Sequence, residues 1–265
     1  MNGDGKPDIV LQEASTKQLY VWYMNGVNRT GGAYLNPKTV SNNWRVAAAA
    51  DFNADGKTDI LLQEHSTRQL YVWYMNGVNR TGGTYLNPKT VSNSWKVVGA
   101  ADMNADGKAD IVLQEASTKQ LYVWYMNGVN RTGGAFLNPK TVSGNWKVVA
   151  VQDMNADGKP DLVLQEFTTK QMYVWYMNGI NRTGGAFLNP KTIGGAWRAV
   201  GGNGAWVTVA ASASSAMMDT PNGTDDARTA EASASGSKQA GCNAGTGLIA
   251  ALLLLPLLPA GLRRK

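Results

Sequence analysis

Short apolar runs separated by Gly, Asn and Asp mark the chain as far as residue 203. Trp95–Gly99 (WKVVG), Asp110–Leu113 (DIVL) and Leu121–Met126 (LYVWYM) are brief, rich in β-branched or aromatic side chains and bounded by turn formers, which predicts strands. In LYVWYM, Leu121, Val123 and Tyr125 alternate with Tyr122, Trp124 and Met126, so both faces of the strand are apolar and both demand packing. Asn127-Gly128 then predicts a hairpin, because both positions tolerate positive φ. A fourth, weaker strand is expected at Ala135–Leu137.

The pattern returns every 51 residues. NADGK opens at Asn53, Asn104 and Asn155, with the variant NGDGK at Asn2; WYMNG opens at Trp22, Trp73, Trp124 and Trp175, and NRTGG at Asn28, Asn79, Asn130 and Asn181. A Trp before a basic residue recurs at Trp44, Trp95, Trp146 and Trp197, so eight of the nine Trp are periodic. Four units follow: 1–50, 51–101, 102–152 and 153–203. A lone unit would leave an apolar sheet face wet, whereas stacked units cover each other. The expected fold is therefore all-β, a β-propeller of four blades with four antiparallel strands each, rather than helical-repeat pairs or separate beads. The run Trp197–Val200 has no loop of its own after it and is expected to complete the first blade and latch the ring, the alternative being an arc cut from a larger ring.

Each full unit carries D-x-N-x-D-G-x-x-D: Asp51, Asn53, Asp55, Gly56 and Asp59; Asp102, Asn104, Asp106, Gly107 and Asp110; Asp153, Asn155, Asp157, Gly158 and Asp161. Oxygen ligands at positions 1, 3, 5 and 9, joined by the position-7 carbonyl of Lys57, Lys108 or Lys159, suit Ca²⁺, a hard cation that takes six to eight oxygens. Gly at position 6 permits the bend. Three carboxylates this close repel one another unless a cation sits among them. The first unit starts inside its loop, so only Asn2, Asp4, Lys6 and Asp8 remain there. That start, with no signal peptide, leads us to expect an N-terminally truncated chain.

Composition narrows the functions. With 43% hydrophobic and 17% charged residues the chain is neither disordered nor collagen-like. One Cys forms no internal disulfide, and one His, His65, supports no repeated His-based metal or catalytic centre. The net charge of +6 comes from basic residues recurring singly (Lys17, Arg29, Lys38, then Arg68, Arg80, Lys89), the pattern of a solvated surface and not of a nucleic-acid stripe. Catalysis needs unlike groups converging in one pocket; near-copies of one unit do not offer them, and no enzyme is expected. The Trp and Tyr rows of constant type read as core between blades, and Tyr34, Tyr85, Phe136 and Phe187, a row in which Tyr and Phe exchange, as candidates for stacking on sugar.

The acidic loop, the DILLQ that follows it, YVWYMNG and a Trp-led strand running into the next loop closely resemble FG-GAP or VCBS-type repeats, the integrin-α-like β-propeller family, over residues 1–201. The resemblance implies a blade with Ca²⁺ between its first two strands, in non-catalytic extracellular modules that bind ligands, sugars or other surfaces. After Trp206 the composition shifts to Ala, Ser, Thr and Gly, which reads as a disordered linker over 204–240. Residues 241–265 hold Gly241-Cys242-Asn243-Ala244-Gly245, an apolar run Leu248–Leu262 expected as a short hydrophobic helix, and Arg263-Arg264-Lys265. That order resembles a Synerg-CTERM-like bacterial C-terminal sorting signal, which implies a membrane-bound sorting protease as partner and Gly241 and Cys242 as the processing or anchoring point. The basic end would stay cytoplasmic with the repeats outside. The expected function is a calcium-binding, secreted or cell-surface-anchored propeller for adhesion or ligand binding. The alternatives are a multivalent lectin and a non-catalytic module of a longer surface protein; the partner is then an extracellular glycan or surface protein, with no nucleic acid.

Overall fold

In the computed structural model, residues 1–4, 6, 8–25, 28–193 and 206–208 are described, the last three as backbone. They are all-β, and among them there is no helix. The first sheet contributes β1 (Ile9–Gln12), β2 (Gln18–Asn25) and β3 (Asn28–Thr39). The second holds β4 (Trp44–Ala50), β5 (Asp59–Glu64), β6 (Gln69–Asn76) and β7 (Asn79–Thr90). The third holds β8 (Trp95–Ala101), β9 (Asp110–Glu115), β10 (Gln120–Asn127) and β11 (Asn130–Thr141). The fourth holds β12 (Trp146–Gln152), β13 (Asp161–Glu166), β14 (Gln171–Asn178) and β15 (Asn181–Thr192). Neighbouring strands within a sheet are antiparallel. A short β16 (Trp206–Thr208) lies parallel to β1.

The second, third and fourth sheets thus begin at the Trp-basic pair and not at the acidic loop, and in each the loop joins the first two strands, where the resemblance placed it. The expected closing strand Trp197–Val200, the linker 204–240 and the C-terminal segment with Gly241 and Cys242 lie outside the described residues, apart from the β16 backbone. The fourth strand is much longer than Ala135–Leu137. Most of β11 is exposed, with Leu137 its one buried residue, so it has no apolar period to reveal its length, and Pro139 is tolerated there because the strand lies at a sheet edge.

The two-faced strands pack as their alternation requires. Leu70, Val72 and Leu86 of the second sheet form one core with Ile111, Leu113, Trp124 and Met126 of the third. Leu121, Val123 and Leu137 of the third repeat this against Leu162, Leu164, Trp175 and Met177 of the fourth, and Leu19, Val21 and Leu35 of the first against Ile60, Leu62, Trp73 and Met75 of the second. Stability thus resides between sheets, each covering its neighbour, as in repeat proteins generally. At the outer edge, the Asn36 and Asn87 amides donate to Val78 O and Val129 O, both at 2.9 Å, and single parallel pairings join Asn36 to Asn79 and Asn130 to Asn87. On the opposite side β4 touches β8, and β8 touches β12.

Candidate functional site

The acidic loops are built from Asx turns. Asp51 Oδ2 accepts from the Gly56 amide at 2.8 Å, Asn53 Oδ1 from the Asp55 amide at 3.1 Å, and Asp55 Oδ1 from the Lys57 amide at 2.9 Å. The other loops repeat this, with Gly107 and Gly158 donating to Asp102 at 2.7 Å and to Asp153 at 2.8 Å, and Lys108 and Lys159 donating to Asp106 and Asp157 at 2.9 Å. Gly56 sits at φ 79, the left-handed conformation the bend at position 6 requires. Positions 3 and 5 are exposed in all three loops.

Position 9 behaves differently. Asp59 is fully buried; its Oδ2 accepts from the Phe52 amide at 3.1 Å and its Oδ1 from the Met75 amide at 2.9 Å. Asp110 and Asp161 bind the amides of Met103 and Met126, and of Met154 and Met177, in the same way. Each therefore ties its loop to the middle of the sheet. Burial pushes the Asp59 and Asp110 carboxyls up to about 6 even though two amides donate to each, and the negative charges of the loop's position-5 and position-1 Asp add to the rise. Asp161 is raised by the same causes. In the first unit Asp8 takes the same place, accepting from the Met1 amine at 2.6 Å and the Met24 amide at 3.0 Å. There Asp4 accepts from the Lys6 amide at 2.9 Å, which lowers its pKa, and Asn2 donates to Asp4 at 3.0 Å.

The donors fit a hard cation in kind: exposed carboxylate and carboxamide oxygens at one mouth, and a carboxylate beneath them whose charge their own worsens. The cage is not drawn together in this structure. Among the described residues, no group of three or more His, Cys, Asp or Glu is arranged to hold a metal, because each carboxylate turns to backbone amides.

The expected sugar-stacking rings are placed at the surface, Tyr85 and Phe136 both 39% exposed and Phe187 45%. One face of each is already covered: Lys38, Lys89, Lys140 and Lys191 stand 3.7, 3.7, 3.6 and 3.8 Å from the ring centres of Tyr34, Tyr85, Phe136 and Phe187. NRTGG is structural as well. The Arg80 guanidinium lies 5.0 Å from the Trp73 ring and donates to Gly82 O at 2.9 Å and to the Tyr71 hydroxyl at 3.1 Å, and Thr81 Oγ1 donates to Tyr74 O at 3.1 Å. Beside Phe187 an open cleft of ≈ 230 Å³ lies against Trp146, Tyr173, Trp175 and Arg182. His65 is exposed in a hairpin turn.

Two sets of residues escaped the sequence reading. Gln12, Gln63 and Gln114 are buried and bond across sheet boundaries, and Glu13, Glu64 and Glu115 cap the following Ser-Thr turns. The signal was the Gln-Glu pair closing each strand after the acidic loop, which recurs as faithfully as the Asp residues.

A model of FG-GAP-like repeats matches residues 1–62, 51–113 and 102–164. The chain belongs to the FG-GAP-like repeat family. No curated protein matches it. Among solved structures it is similar to the Tc holotoxin pore of Photorhabdus luminescens (13% identity, TM-score 0.40, covering 71% of this chain and 10% of that one). It is also similar to the glutaminyl cyclase of Myxococcus xanthus (9%, 0.37, 68% and 69%) and to an auxiliary nutrient binding protein of Bacteroides thetaiotaomicron (10%, 0.39, 70% and 48%). The FG-GAP chain thus spans a tenth of the toxin chain and about half of the nutrient-binding one.

Proposed function

We propose that this FG-GAP repeat protein is a non-catalytic scaffold, braced by Ca²⁺ and displayed outside the cell, that presents repeated surfaces for adhesion or ligand binding. The observation that carries the reading is the recurrence of one loop at one place: in three consecutive sheets it joins the first two strands, with exposed Asp and Asn oxygens above a buried Asp anchored to the sheet. In each loop the side chains of positions 1, 3, 5 and 9 and the carbonyl of Lys57, Lys108 or Lys159 would hold the ion, and the ion would supply the charge these carboxylates lack. With calcium about tenfold above its dissociation constant, each site contributes about 1.4 kcal/mol, so three contribute about 4 kcal/mol, a large part of a stability of about 5–15 kcal/mol. The test is the melting midpoint of the full chain in calcium and in chelator; equal midpoints reject the reading.

Closure of the sheets into a four-bladed ring belongs to the same proposal, as do delivery by a C-terminal sorting signal and processing at Gly241 and Cys242. Mass spectrometry of the mature protein isolated from membranes checks the last two. A second reading, a multivalent lectin, draws on the exposed rings and the cleft beside Phe187, since weak sites repeated on one rigid body gain avidity. A glycan array probed in calcium discriminates, because absence of binding removes the lectin and leaves the scaffold.

A further inference from the structure

Two of the sets of basic residues that recur once per repeat converge in the fold. Arg45, Lys96 and Lys147 follow the strand-opening Trp residues and take equivalent positions on β4, β8 and β12, each in register with a Gln of the next strand (Gln63, Gln114, Gln165). Because β4 touches β8 and β8 touches β12, three cationic positions stand in a row along the contacting first strands. The hairpin turns between the second and third strands add Arg68 and Lys119. Arg68 reaches over the next sheet, its Nε donating to Asn93 O at 2.9 Å. Arg45 and Lys96 are half-buried; burial, and then the charges of Arg45, Lys147, Arg68 and Lys119, lower the Lys96 pKa.

Among the described residues Arg45, Arg68, Lys96 and Lys119 enter no ion pair. The carboxylates at the same end include Glu64, Glu115 and Glu166, which accept from Ser66 and Thr67, from Ser117 and Thr118, and from the Thr169 amide. Arg45 Nη2 donates to Gln63 Oε1 at 2.8 Å, a neutral partner, and Arg68 Nη1 is buried with no hydrogen-bond partner at all. A buried guanidinium N–H without an acceptor is costly, and clustered cations that repel one another are stabilised by an anion placed among them.

We propose that Arg45, Arg68, Lys96, Lys119 and Lys147 form an anion-binding site at the joined ends of the first strands, taking a sulfate or phosphate group. Guanidinium forks and ammonium groups suit such a tetrahedral oxyanion, which is either free or borne on a saccharide ester. The site is separate from the acidic loops and does not depend on calcium.

The test uses the full chain in calcium, with its melting midpoint read in about 10 mM inorganic sulfate, a sulfated disaccharide or its unsulfated parent, all at ionic strength matched with chloride. Sulfate is expected to raise the midpoint by about 2–4 °C, and the unsulfated sugar to leave it unchanged. A larger shift with the sulfated sugar than with sulfate assigns the ester as the source, and equal shifts assign the free ion. Lys96→Met is expected to melt higher than the wild type in chloride, since it removes a repelled cation, and to lose most of the sulfate shift. The exposed-site variant Lys147→Gln, which leaves the interior intact, is expected to reduce the shift as well. No sulfate-dependent shift, or a shift undiminished in both variants, overturns the site.

Discussion

Gln12 holds Val46 across a sheet boundary: the Val46 amide donates to Gln12 Oε1 at 3.0 Å while Gln12 Nε2 donates to Trp44 O at 3.0 Å. The carboxamide thus imitates a peptide group and continues the hydrogen bonding of one sheet into the first strand of the next. Gln63 does the same to Val97 and Trp95, and Gln114 to Val148 and Trp146. These are the described polar bridges through the apolar stack, and they fix how far each first strand slides against its neighbour.

Gln12→Leu keeps the volume and removes both partners, leaving the Val46 amide and the Trp44 carbonyl without acceptor or donor. The expected cost is about 1–3 kcal/mol, read as a lower denaturation midpoint with an unchanged slope. An unchanged midpoint would mean that water takes over both bonds.

The turn-capping glutamates predict an acid limit. Thr16 Oγ1 donates to Glu13 at 2.6 Å, and the Ser15 amide donates at 3.0 Å together with that of Thr16; the Thr16 hydroxyl, then these amides, bring the Glu13 carboxyl down from the ordinary 4.5 to about 2. A carboxyl lowered by folding stabilises the fold fully above the unfolded value and loses that contribution as pH falls toward the folded one. Stability is therefore expected to decline between about pH 4.5 and pH 2, and Glu13→Gln is expected to flatten that part of the profile. Melting scans stepped through this window check it.

How much of this was readable beforehand depends on whether the signal was apolar or polar. Leu121 and Val123 alternate with Trp124 and Met126, and that alternation alone foretold a strand covered on both sides, by different sheets. Asn127-Gly128 foretold its turn, with Gly128 at φ 61. Glycine and the spaced Asp residues marked the loop, but not that Asp59 would turn both oxygens to amides, because an acceptor's choice between backbone and cation is not written in spacing. Lys96 shows the other limit: one basic residue per repeat looks like ordinary surface until stacking places the copies side by side.

The two kinds of loop Asp are separable by experiment. Asp59→Ala leaves the buried amides of Phe52 and Met75 unpaired, so it is expected to cost about 2–4 kcal/mol in chelator as well as in calcium. Asp55→Ala removes an exposed side chain that accepts only within its own loop, so its cost is expected to be small in chelator and to approach the per-site calcium contribution, about 1.4 kcal/mol, when calcium is present. Denaturant titrations of both variants under both conditions check this. A calcium-independent cost for Asp55→Ala would assign the loop a purely structural role.

The adjacent glycines of NRTGG provide the sharpest contrast. A methyl group on Gly83 would stand 2.4 Å from Val72 O and 2.7 Å from Tyr71 Cε1, whereas one on Gly82 would meet nothing closer than Tyr74 Cδ2 at 3.6 Å. The Tyr71 ring lies over Gly83 because Arg80 holds its hydroxyl at 3.1 Å and Tyr85 packs edge-on with ring centres 4.7 Å apart, so the ring has little room to withdraw. The other close atom belongs to the backbone of the paired strand. Gly83→Ala is therefore expected to lose about 1–3 kcal/mol through forced displacement, while Gly82→Ala is expected to be neutral or to gain up to about 1 kcal/mol by restricting the unfolded chain. Equal effects at the two positions, measured by thermal or denaturant unfolding, would show that the Tyr71 ring is not fixed between Arg80 and Tyr85.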